Sequence, residues 1–201
     1  PPAATGWAPI HAMRLSSHAL VIPGLWQVND DGQPRGGGGP YNAPMNEVTE
    51  VQALKADSFG RIALMRGPGG LFVRRDLAHV PLWLRLPAWW LARREARGLA
   101  RAASLDAAPR LLAWTGRTLD RSYLGGAAMH LAPPRGDVAY FHRARRLLQS
   151  LHRLGIAHND LAKEANWMVL EDGRPALIDF QLASCGHPRS RWIRLLARED
   201  L

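Results

Sequence analysis

From Val48 onward the chain alternates short apolar runs with turn residues: VTEVQAL, RIALM and LFVRR are separated by KADSFG and RGPGG. Runs of this length between turn clusters predict three strands in an antiparallel meander. The stretch PAWWLARREARGLARAASL then carries Trp90, Leu91, Arg94, Ala96 and Leu99 at helical spacing, with Pro87 at its start, and predicts a helix. RLLAWTG and RTLDRSYL add two strands around Gly116, so a five-stranded sheet with one helix is expected, and Gly125 and Gly126 read as a flexible connection after it. Beyond that connection, DVAYFHRARRLLQSLHRLG brings Ala144, Leu147, Leu148, Leu151 and Leu154 onto one helix face, with Gly155 as its cap. WMVLEDGRPALIDF reads as a hairpin running from Trp167 to Leu170 and back from Pro175 to Ile178. SCGHPRSRWIRLLAREDL follows, with room for one more helix.

The hairpin has a chemical consequence. Two strands joined by a tight turn bring the residue before the first and the residue after the second to the same end of the ladder, so Asn166 and Asp179 become neighbours. Converging oxygen side chains suit a hard cation such as Mg²⁺, which keeps waters and takes further ligands from a substrate phosphate. Asp160, on the loop just before, faces the same place.

Composition narrows the class. A chain of 201 residues, 47% apolar and without a run of 18 apolar residues, can bury one sizeable core or two small lobes and carries no transmembrane segment of ordinary length. The single cysteine, Cys185, excludes an intrachain disulfide framework and suits a reducing compartment, so a cytoplasmic location is expected. The formal charge is +9, but only Lys55 and Lys163 among the 26 basic residues are lysine, and the arginines are scattered through the chain; nucleic acid is not an expected partner. Residues 1–44, with DDGQPRGGGGPYNAP, read as a poorly ordered or non-native extension ending before Met45. Trp83, Trp89 and Trp90 cluster with Leu82, Leu84 and Leu86; core packing and contact with a membrane surface are both open for them.

HNDLAKEAN and IDFQ resemble the protein-kinase-like superfamily, whose catalytic loop reads HxDxxxxN and whose metal-binding Asp stands in DFG after a hairpin. Within it, the compact, arginine-rich form looks most like bacterial kinases related to the RIO type and to lipopolysaccharide core-sugar kinases. The resemblance runs from about residue 48 to residue 183. It implies an α+β, bilobal fold, with an N-lobe over 45–124 built on the five-stranded antiparallel sheet and its helix, and a short, truncated helical C-lobe over 125–201. It also implies transfer of the γ-phosphate of Mg-ATP to a hydroxyl acceptor, on protein Ser/Thr or a lipopolysaccharide sugar. Asp160 would then accept or orient the hydroxyl proton, Lys163 would neutralise the moving phosphate, and Asn166 and Asp179 would hold Mg²⁺. His158 is expected to be structural.

Several departures accompany the resemblance. Asp160 to Asn166 is six positions where the motif has five, while Asn166 to Asp179 is thirteen, as the family hairpin requires, so the extra residue falls between Asp160 and Lys163. LFVRR stands where the family's VAIK strand carries its phosphate-binding lysine; Arg74 takes that place, with Arg75 as the one-residue register alternative. Glu95 lies 21 positions beyond Arg74, where the ion-paired glutamate of the first helix belongs, or it relieves repulsion among arginines on a solvated face. Gly60 is the one glycine where the phosphate loop has three, and a plain hairpin turn explains it equally. Asn159 replaces the arginine of regulated kinases, and Gln181 replaces the glycine of DFG, which predicts a site held in one state. There is no APE motif, and a truncated C-lobe would leave apolar surface open on the helix ending at Gly155. Two other classes stay open: a pseudokinase-like interaction module without transfer activity, and a basic module that binds anionic surfaces.

Overall fold

The computed structural model describes residues 48–200; the extension expected over residues 1–44 lies outside them. The meander forms as the apolar runs suggest, as β1 (Thr49–Asp57), β2 (Gly60–Gly67) and β3 (Gly70–Asp76). A 3-10 turn at Leu82–Leu84 leads into α1 (Arg85–Arg101), and β4 (Leu111–Trp114) and β5 (Thr118–Ser122) complete a sheet ordered β1-β2-β3-β5-β4, antiparallel throughout. Next come β6 (Ala127–Ala128), α2 (Val138–Arg153), β7 (Ile156–Ala157), β8 (Trp167–Val169), β9 (Pro175–Leu177), β10 (Ser184–Cys185) and α3 (Arg191–Glu199). β6, β8 and β9 make a three-stranded sheet in that order, and β7 pairs with β10. The expected mixed α+β class holds, with one helix following the sheet's first three strands and two more after it.

The β1–β2 connection is a two-residue turn, since Asp57 pairs directly with Gly60 and the Asp57 carboxylate accepts from Phe59 N at 2.9 Å. Gly60 has φ +130°, and a Cβ there would sit 2.8 Å from the Asp76 carbonyl oxygen of the neighbouring strand. Close strand approach therefore demands this glycine, which closes a tight two-residue hairpin.

α1 starts two residues ahead of Pro87, which is tolerated because amides of a first turn have no intrahelical acceptor to lose. It buries Ala88, Ala92, Glu95, Ala96 and Leu99 along one stripe. The stripe packs against the segment after β9 so closely that a Cβ at Gly98 would lie 3.2 Å from Phe180 Cβ. The main core joins Ala96 and Leu99 of α1, Leu119 of β5, Leu148 and Leu151 of α2, Ile156, Leu177 and Phe180. A second cluster gathers Leu77, Val80, Ala88 and Ala92, with Trp89, Trp114 and Leu84 against it.

Three expectations change here. The tryptophan cluster divides: Trp89 and Leu84 pack inward, whereas Leu82, Trp83 and Leu86 are 77%, 78% and 75% exposed and Trp90 is 49% exposed. The connection at Gly125–Gly126 is docked, not loose; Gly126 has φ +126°, a Cβ on it would meet Val169 O at 2.3 Å, and β6 immediately pairs with β8. The apolar face of α2 is covered, because Ala144, Leu148 and Leu151 are buried and the Tyr140 hydroxyl donates to Met168 O at 3.1 Å. Asp137 caps that helix by accepting from Tyr140 N at 2.8 Å. Among the described residues no helix is long and apolar enough to cross a membrane.

Candidate active site

The β8–β9 ladder pairs Trp167 with Leu177 and ends one step further on, where Ile178 N donates to Asn166 O at 3.0 Å. That last bond sets Asn166 and Asp179 side by side at the end of the hairpin. The Asn166 amide donates through Nδ2 to both the Asp160 carbonyl (2.8 Å) and the Asp160 carboxylate Oδ2 (2.9 Å), so the loop aspartate joins the pair. The additional loop residue is taken up in a turn at Leu161–Ala162, tethered by the Trp167 indole, which donates to Leu161 O at 3.1 Å. A single 3-10 turn over Glu164–Asn166 then restores the approach to β8.

Lys163 Nζ reaches Asp160 Oδ2 at 2.8 Å, and this bond raises the lysine above its ordinary value despite a largely solvated side chain. Asp160 is mostly shielded, with its side chain 11% exposed, and its Oδ2 is already occupied by Lys163 and Asn166. Its other oxygen is the one available to an incoming group. Asp179 has φ +66° and a buried Oδ1 with no hydrogen-bond partner; its Oδ2 accepts a long bond of 3.4 Å from Gln181 Nε2. A buried carboxylate oxygen without a donor is unfavourable unless a cation satisfies it. Among the described residues no group of three His, Cys, Asp or Glu gathers into a metal cage. The donor set is instead a carboxylate and an amide oxygen, which fits Mg²⁺ completed by phosphate and water.

The sheet supplies a second polar cluster. Side chains alternate along β3, so Val73 and Arg75 share the face toward α1 while Arg74 points to the other. Arg74 lies opposite Asp120 on β5 and binds its carboxylate with two bonds of 2.8 and 2.7 Å, and this bond raises the arginine above its ordinary value. It does not pair with the helix carboxylate. Arg75 does, with Nη1 3.2 Å from Glu95 Oε2, so the register is shifted by one from the Arg74 expectation. Glu95 is fully buried, which removes the solvated-face reading, and its Oε1 is paired with Arg121 of β5. Burial lowers Arg75 and pulls Arg121 down to about 10, the like charge of Arg75 adding to the shift and Asp179 opposing it; Arg121 stays charged at neutral pH. Gln181 connects the two clusters, accepting from Arg75 Nη1 at 3.2 Å and donating to Asp179.

One residue that local sequence did not mark organises the loop. Asp200, buried just after α3, accepts from His158 N and Asn159 N, each at 2.8 Å, and lies 3.1 Å from His152 Nε2. Its partners are more than forty positions away in sequence, and an aspartate at the end of LLARED has no local signature of this role. Asn159 adopts φ +63°, which asparagine tolerates, and its Nδ2 donates to Leu182 O and Ser184 Oγ. Arg94 of α1 donates to the same stretch at Leu182 O and Ala183 O.

His158 is fully buried and its Nε2 donates to Ile178 O at 3.0 Å, leaving Nδ1 as an unprotonated nitrogen without a partner. Burial holds it below the ordinary 6.5, against the pull of that carbonyl and of Asp200, Asp179 and Asp160. The unfolded chain then takes up a proton that the folded chain refuses. The stability tied to this neutral histidine is complete above pH 6.5 and is lost as pH falls below it. The urea midpoint of the wild type should fall from about pH 7 to about pH 5.5 more steeply than that of His158→Gln. Parallel slopes for the two proteins would contradict this.

A hairpin-end carboxylate and amide, a loop aspartate with its lysine, and a buried arginine–glutamate pair are the types of group that phosphoryl transfer uses for positioning and charge neutralisation. Residues 77–198 match the family model for the phosphotransferase enzyme family (APH), and the chain belongs to that family. Membership supports a kinase-type transferase with phosphoryl transfer as its chemistry. The matched stretch contains Glu95, Arg121, Asp160, Lys163, Asn166 and Asp179, while Gly60, Arg74 and Arg75 lie before it and Asp200 after it. No curated protein matches the chain.

Proposed function

We propose that the protein transfers the γ-phosphate of ATP to a hydroxyl acceptor in a Mg²⁺-dependent reaction, from a site between two kinase-like lobes. One observation carries this reading: Asp160, Asn166 and Asp179 converge at one end of the β8–β9 ladder, with a buried Asp179 oxygen left without a donor. Asn166 and Asp179 would hold Mg²⁺, which when bound supplies neutralising charge to the nucleotide phosphates. Asp160 orients the acceptor hydroxyl and takes up its proton at the carboxylate oxygen that Lys163 and Asn166 leave free. Lys163, 61% exposed and protonated, can swing from Asp160 toward a phosphoryl group leaving ATP. Arg75, paired with Glu95 at 3.2 Å, takes the role of the family lysine in meeting the phosphates. Transfer of label from γ-labelled ATP, with and without Mg²⁺, to protein and lipopolysaccharide fractions tests the reaction and identifies the acceptor class. No Mg²⁺-dependent label in either fraction, with preserved Mg-ATP binding, would leave the pseudokinase-like module as the function.

The exposed Leu82, Trp83, Leu86 and Trp90 favour an acceptor met at an anionic membrane surface on the cytoplasmic side. Between Asp76 and Glu95 the chain has three arginines and no acidic residue, a composition matched to such a surface. Sedimentation with phosphatidylglycerol-containing vesicles should retain the protein, and Trp83→Ser combined with Leu86→Ser should weaken that retention about tenfold or more. Equal retention of both proteins would reduce the effect to general basic charge.

A further inference from the structure

Glu95 is unusual in serving two cations. Its Oε2 lies 3.2 Å from Arg75 Nη1, its Oε1 is paired with Arg121 Nη1, and the carboxylate has no exposure to water. The two arginines are diagonal neighbours on one face of the sheet, because Arg75 stands opposite Leu119 and Arg121 opposite Val73. A single carboxylate cannot neutralise two buried guanidiniums. Asp179 supplies further negative charge: its field acts on both arginines, and its side chain is linked to Arg75 through Gln181, by bonds of 3.2 and 3.4 Å, while Asp57 adds to the field on Arg75 alone. Arg75 and Arg121 are thus balanced chiefly by Glu95, which pairs with both, and by Asp179, whose field reaches both.

With a cation held at Asp179 that balance would change, and one guanidinium charge would become available to an anion beside it. Arg75 is the guanidinium tied toward Asp179, so it is the one placed to turn to that anion. It can leave Glu95 without stranding a buried, unpaired carboxylate only if another cation stays behind. Among the described residues Arg75 and Arg121 are the two cations paired with Glu95.

We propose that Arg121 is a positioning residue for polyphosphate binding: it holds Glu95 and α1 in place while Arg75 exchanges Glu95 for the phosphate chain. Two arginines then divide work that a lone lysine–glutamate pair would do with one cation. The idea rests on the phosphotransferase reading of the site. It differs from a merely structural ion pair, which would support folding and every ligand alike.

The test uses the full chain with Arg121→Gln and Arg121→Lys, comparing Mg-ATP and adenosine affinities by calorimetry and the split between kcat and KM for ATP. Arg121→Gln is expected to weaken Mg-ATP about tenfold, seen as KM, while adenosine affinity and kcat change less than about threefold. Arg121→Lys, which keeps a cation on Glu95, is expected to bind Mg-ATP within about threefold of wild type. Unchanged Mg-ATP affinity in Arg121→Gln, or equal weakening of adenosine, overturns the proposal. Should the glutamine variant fail to fold, the lysine variant decides, a loss of about tenfold or more counting against the exchange. A wild-type protein that binds no Mg-ATP refutes the phosphotransferase reading itself, and the exchange with it.

Discussion

Asp179→Asn is expected to remove Mg²⁺-dependent phosphate transfer by at least about a hundredfold without unfolding the protein. Asparagine has nearly the same size and is among the residues that tolerate the left-handed backbone found at this position, φ +66°. What it loses is the charge on a buried oxygen that no protein donor satisfies. The two arginines that feel Asp179 remain, so the variant should still bind the nucleotide phosphates while its response to Mg²⁺ disappears. Asp160→Asn tests the other half of the chemistry. Its amide can keep an oxygen toward Lys163 and Asn166, yet cannot accept the acceptor proton, and a loss of about a hundredfold to ten-thousandfold in kcat is expected with little change in KM for ATP. Full activity in either variant would dismiss that residue from the reaction.

The largest stability effect is expected at Asp200. Its buried carboxylate takes both backbone amides that open the loop carrying Asp160, the buried one at His158 and the part-buried one at Asn159. Alanine would leave the buried His158 N–H and the part-buried Asn159 N–H without this acceptor; at about 1–3 kcal/mol for the buried group and less for the other, Asp200→Ala should lose about 2–4 kcal/mol by urea titration. Asparagine can satisfy one of the two amides with its remaining oxygen and should recover part of that loss. Because the loop carries Asp160, the alanine variant should also lose transfer activity at temperatures where it is still folded. Amide exchange at His158 and Asn159 provides the local readout; protection as in the wild type would show that Asp200 does not hold the loop.

The chain announces its elements through short-range regularities. Alternating runs between turns are enough to specify the meander, because each strand needs only a half-buried face and a place to reverse. The 3.6-residue stripes of α1 and α2 and the spacing from Asn166 to Asp179 likewise place the hairpin and its two polar ends. Where two readings fit the same letters, the sequence is silent. LFVRR offers apolar residues in both registers, so alternation alone cannot say whether Arg74 or Arg75 faces the helix; the pairing of Arg74 with Asp120 on the neighbouring strand decides it.

Gly60 shows the same limit from the other side. A glycine before a strand fits several turn geometries, and only the carbonyl of Asp76, on a strand reached after another reversal, shows why no side chain fits there. By itself, then, the sequence determined the order of elements, the buried stripe of α1 and the residues at the hairpin's ends, all consequences of local periodicity and turn chemistry. The tertiary structure decided which arginine meets Glu95, that Arg121 shares it, that Gln181 bridges to Asp179, and that Asp200 clamps the loop. Those contacts join residues from separate strands and helices, and a side chain's charge partner in a buried site is set by which elements pack together.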